Sequence, residues 1–140
     1  MIQRIQTIWY LLAVLALGST FVVDIYKQND FPNIPNLGMG NLVIGIILLV
    51  LSMVLSLYTL FLFKTRKRQI TFSWLSIITS LITFAYLYIS CESYIEQHQI
   101  VNGHYWIGLF LPLASVVFLF MAMLGVKKDE KIIKSLDRLR

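Results

Sequence analysis

Four long apolar runs, at residues 5–23, 42–63, 70–90 and 105–126, dominate this chain, and none contains Lys, Arg, Asp, Glu or His. A helix rises about 1.5 Å per residue, so about 20 apolar residues cross the hydrocarbon core of a bilayer. Buried helices of water-soluble domains seldom stay charge-free for that length. Composition agrees: 58% of residues are hydrophobic and 14% charged, against about 45–50% and roughly 25% in soluble domains. A soluble core of this size cannot hide that excess. The reading is one membrane domain over residues 1–140 with four spans.

The basic residues set the orientation. With both termini in the cytoplasm, every Lys and Arg except Lys27 lies inside, as the positive-inside rule requires. Ala16-Leu17-Gly18 has the small-x-small form of a cleavage site. The first run is a full span long and opens with a single Arg4, so it reads as a retained helix. Cys91 is the only cysteine, which excludes an intrachain disulfide.

Between the spans lie an outer loop at 24–41, a short inner loop at 64–69 and a second outer loop, with an inner tail at 127–140. The inner loop forces the second and third spans into a hairpin, and the expected fold is an all-α, up-down-up-down four-helix bundle. Tyr26, Tyr86, Tyr88, Tyr105 and Trp106 mark the outer boundary, and Trp9, Tyr10 and Trp74 the inner one. Lipid offers no hydrophobic drive between helices, so small residues must let them approach. Gly45, Ser52 and Thr59 recur at seven-residue spacing, with Ser56 one turn from Ser52. Ser73 and Ser80, Ser76 and Thr83, and Gly108, Ser115 and Ala122 repeat that interval. Such stripes are expected to form the inner seams. Pro112 is expected to kink the fourth span near Gly108.

Chemistry is sparse. No ionisable group lies in the spans, where pumps and proton-coupled carriers place one. Cys91, Glu92, Glu96, His98 and His104 are metal-capable types in the second outer loop, but their spacing matches no strong motif. No Ser-His-Asp, Cys-His or Gly-rich phosphate pattern occurs. The expectation is therefore a protein without catalytic residues, metal or cofactor. The basic segments say more. Lys64, Arg66, Lys67 and Arg68 crowd the inner loop, and Lys127, Lys128, Lys131, Lys134, Arg138 and Arg140 fill the tail. Ile132, Ile133, Leu136 and Leu139 give the tail one apolar face, so it is expected as a short amphipathic helix along the inner membrane surface. Lys64, Arg66, Lys67, Arg68, Lys127, Lys128, Lys131, Arg138 and Arg140 are the expected contacts to anionic headgroups or to a protein partner. No nucleic-acid reading motif accompanies the charge.

Three segments carry a family likeness: Met1-Ile2-Gln3-Arg4-Ile5-Gln6-Thr7, Phe61-Leu62-Phe63-Lys64-Thr65-Arg66-Lys67-Arg68-Gln69, and Lys128-Asp129-Glu130-Lys131 with the ending Asp137-Arg138-Leu139-Arg140. They resemble the domain-of-unknown-function 4293 family, small four-span membrane proteins of Bacteroidota. Thr65 stands where the family commonly has Asn. The resemblance implies residence in the bacterial inner membrane and carries no catalytic residues. The first functional expectation is a non-enzymatic accessory or assembly subunit that docks through its basic cytoplasmic face, as a monomer or a homo-oligomer. The alternative is a small channel or carrier for a neutral or lipid-like solute, which needs Ser52, Ser56, Ser76, Ser80 and Thr83 on a wet cavity. A membrane enzyme using the outer-loop His and Glu residues is the third.

Overall fold

The computed structural model describes residues 2–28, 35–62, 65–100 and 102–137. Four helices account for most of them: α1 (Ile2–Ser19), α2 (Val43–Phe61), α3 (Arg66–His98) and α4 (Ile107–Asp137). The helices pack in a ring, α1 on α2, α2 on α3, α3 on α4 and α4 back on α1. Among the described residues, Val43–Phe61, Arg66–His98 and Ile107–Ile133 are long and apolar enough to cross a membrane. Ile5–Ser19 is apolar but shorter, because a turn at 20–23 ends α1 before the run does.

Polarity is inverted relative to a water-soluble fold. Leu15, Ile47, Ile89 and Val117 are 66%, 61%, 64% and 58% exposed, whereas Ser52, Ser56, Ser80 and Ser115 are 0% exposed. Water would reverse that preference, at about 25 cal/mol per Å² of apolar surface. Lipid tolerates it, and the small buried hydroxyls let the helix backbones approach. Ser52, Ser56, Thr59, Ser73, Thr83 and Ser115 donate to carbonyls three or four residues back on their own helices. The seam hydroxyls therefore act chiefly as small, self-satisfied side chains rather than as interhelical links.

Three elements depart from the sequence expectation. The outer loops pair through a two-stranded antiparallel sheet, β1 (Tyr26–Gln28) with β2 (Gly103–Tyr105), in the register Tyr26↔Tyr105, Lys27↔His104 and Gln28↔Gly103. Next, α3 runs on past the third apolar stretch to His98, so Cys91, Glu92, Glu96 and His98 are helical. It ends at Gln99, in the left-handed region at φ 49°, where Ile100 N–H donates to Ile95 O and Gln99 N–H to Glu96 O. That is a Schellman stop with its usual glycine replaced. Finally, the basic tail forms no separate surface helix. α4 continues unbroken through Asp137, since residues 126–137 hold no Gly or Pro and Asp129 is tied down at the helix ring. Ile132 and Ile133 are about two-fifths exposed on its last turns. α4 is also helical across Pro112, whose missing N–H faces the helix's second residue, Gly108.

Candidate functional site

At one end of the ring all four helices meet in a polar junction. Asp129 of α4 is 7% exposed. Its Oδ2 accepts a hydrogen bond from Gln6 Nε2 of α1 at 2.7 Å and lies 3.8 Å from Arg66 Nη1 of α3. Gln69 of α3 donates through Nε2 to Thr59 O of α2 at 3.3 Å. Tyr10 of α1 is 2.6 Å from Ser73 Oγ. The Ser73 proton is already given to Gln69 O, so Tyr10 is the donor. A buried carboxylate is tolerated only with such partners. Gly125 makes the junction possible, because a Cβ there would stand 2.8 Å from Gln6 Cγ. Gln6, Tyr10, Arg66, Gln69 and Asp129 line a cavity of about 150 Å³ together with Thr7, Leu60 and Val126.

The heptad spacing explains why the junction forms. Gly108, Ser115 and Ala122 extended by seven reach Asp129, Ser80 and Ser73 extended back by seven reach Arg66, and Thr83 and Ser76 reach Gln69. The seams that bury small residues in the apolar zone thus bury an ion pair and an amide one step beyond it. Within the apolar runs alone the stripes end before Gln69 and Asp129, and neither these two nor Gln6 stands out as a site residue in the sequence. A Gln inside an apolar run and an acidic pair among lysines are the available signals.

The expected contact residues divide. Lys67, Arg68, Lys127, Lys128 and Lys131 are exposed around the junction, and Lys127 lies 5.6 Å from the centre of the Trp74 ring. Arg66 turns inward to Asp129 with its side chain 23% exposed. Lys64, Arg138 and Arg140 lie outside the described residues. The expected packing residues Gly45, Ser52, Ser56, Thr59, Ser76, Ser80, Thr83, Gly108, Ser115 and Ala122 are all buried. Among the described residues, the Oγ atoms of Ser76 and Ser80 have no hydrogen-bond partner.

The opposite end is a clasp of aromatic and acidic groups. Tyr105 donates to Glu92 Oε1 at 2.5 Å and stacks on Tyr88. That hydrogen bond to a carboxylate pushes the Tyr105 phenol above its ordinary range, with desolvation adding to it. Tyr94 donates to Pro35 O at 2.6 Å, and Lys27 lies 4.0 Å above Trp106 and 4.0 Å from Asp24. Gly108 N–H donates to Asp24 O at 3.1 Å and Trp106 N–H to Ile25 O at 2.9 Å, so the strand leaving α1 caps α4. His98 contacts Tyr94 and His104 contacts Trp106. Among the described residues, no group of three or more His, Cys, Asp or Glu is placed to hold a metal ion.

Apolar outward faces, hydroxyl-lined seams and helices of spanning length define an α-helical protein of membrane type. Within that class the chain belongs to the family described as Domain of unknown function (DUF4293), whose model matches residues 2–139. No curated protein and no solved structure matches it.

Proposed function

We propose that this chain is a four-span inner-membrane protein with both termini in the cytoplasm, which serves without catalysis as an accessory or assembly subunit. It docks an acidic partner through the cations around the junction. The observation that carries the reading is the division of the basic residues. Arg66 turns inward to Asp129, while Lys67, Arg68, Lys127, Lys128 and Lys131 stand exposed at the same end. Anionic headgroups satisfy such cations at about 1 kcal/mol each, and an acidic protein face satisfies them in the same way. The closed hydroxyl seams favour a platform over a conduit. The test reverses the charge of those five exposed residues and leaves Arg66 intact. Loss of co-purifying partners at unchanged thermal stability supports docking. Full partner recovery at low salt removes it.

The second reading, a small channel or carrier for a neutral or lipid-like solute, draws on Ser76 and Ser80. Two buried hydroxyls without partners among the described residues are costly in a dry seam, at about 1–3 kcal/mol each. Cysteines at both positions that a membrane-permeant, water-soluble thiol reagent never labels would end that reading.

A further inference from the structure

The described wall of the junction cavity pairs opposite charges. Among the described residues its charged side chains are Asp129 and Arg66, 3.8 Å apart and of opposite sign. Each retains bonding capacity. Both contacts to Asp129 fall on Oδ2, and Oδ1 carries neither. A guanidinium has five N–H donors in a fixed fork, and the ion pair is too long to use one as a hydrogen bond. Gln6, Tyr10 and Gln69 add further polar atoms to the wall. The volume of about 150 Å³ matches about five water molecules at their liquid volume, the bulk of an amino-alcohol phosphate. The site also lies at the edge of the apolar zone. Leu60 and Val126 are the apolar part of its lining, and beyond Val126 the α4 sequence turns to lysine.

We infer that this cavity binds the headgroup of a zwitterionic aminophospholipid, with the primary ammonium on Asp129 and the phosphate on Arg66. The charge pattern selects against the other candidates. A metal ion meets the Arg66 guanidinium, and a headgroup carrying only negative charge meets the Asp129 carboxylate. A trimethylated choline has no N–H to donate. The exposed lysines nearby attract any phosphate, so the discrimination resides in the buried aspartate. The inference rests on membrane residence and is independent of a docking partner.

The test reconstitutes the purified full chain into vesicles with equal parts phosphatidylethanolamine, phosphatidylglycerol and phosphatidylcholine. Lipids retained after gentle detergent extraction are counted by native mass spectrometry. Wild type should enrich phosphatidylethanolamine about tenfold over the other two, the size expected for one hydrogen-bonded charge contact. D129N should bring it down to the phosphatidylcholine level. Mono- and dimethylated ethanolamine lipids, tested on wild type alone, should be retained progressively less as N–H donors disappear, so the result does not depend on the variant folding. Equal retention of the ethanolamine and choline lipids by wild type, or a flat methylation series, would overturn the inference. Release of the chain from native membranes by alkaline carbonate would overturn the membrane reading itself, and this inference with it.

Discussion

The Asp129–Arg66 pair is the sharpest place to test how the helix ring is held. At 3.8 Å two unit charges attract by about 4 kcal/mol at an effective dielectric constant near 20. Desolvation offsets much of that gain. Asp129 has the larger burden, with its side chain 8% exposed against 23% for Arg66. Asp129→Asn keeps an acceptor for Gln6 Nε2 and removes only the charge, so it should destabilise by about 1.5–3 kcal/mol, chiefly through the stranded Arg66. Arg66→Gln strands the deeper charge and should cost about 2–4 kcal/mol. The double variant strands neither, and should cost less than the two losses combined by about 1–2 kcal/mol. Titration with SDS in mixed micelles, followed by tryptophan fluorescence, reads these differences, since Trp9 and Trp74 fall at this end of the helices. Losses that add within about 0.5 kcal/mol would show that the pair is incidental and that the cavity takes its shape from packing alone.

Other expectations follow from single contacts. Gly108→Ala puts a Cβ 2.3 Å from the Asp24 carbonyl oxygen; overpacking against backbone should cost about 1–3 kcal/mol, while Gly40→Ala, with nothing within 4 Å, should be neutral in the same melting assay. Gln99→Gly relieves the left-handed residue that ends α3 and should stabilise by about 0.5–1 kcal/mol; a lower melting temperature would contradict the Schellman assignment. The Tyr105–Glu92 hydrogen bond raises the phenol's pKa in the folded state. The unfolded chain therefore loses that proton first. The bond's contribution is complete below a pH of about 10 and is lost as pH rises through the folded value. Glu92→Gln should move the late end of the tyrosinate absorbance titration to lower pH; identical curves would show that Glu92 does not hold the phenol.

The helices could be read from sequence because their signals are local. A charge-free run of spanning length reports its own solvent, and a seven-residue interval reports a buried face whichever neighbour fills it. That is why Ser52, Ser80 and Ala122 could be assigned to seams without knowing their partners. The ring's polar end was hidden by the opposite circumstance. Gln6 and Asp129 are 123 positions apart, and Asp129 read alone is one acid among surface lysines. Arg66 resembles Lys67 and Arg68 in every local respect and differs only in which way α3 turns it. The β1–β2 pairing was hidden for a third reason: strands of three residues are too short to show alternation, and their hydrogen bonds are chosen by helices already in place.

The capping of α4 by the chain leaving α1 bears on how the protein is made. The amides of Trp106 and Gly108 find their acceptors at Ile25 and Asp24, on a segment synthesised some eighty residues earlier. Until α4 emerges from the ribosome, the lateral face of α1 that receives it stands open. Stalling translation before residue 107 should leave an intermediate that insertion chaperones hold and membrane proteases recognise.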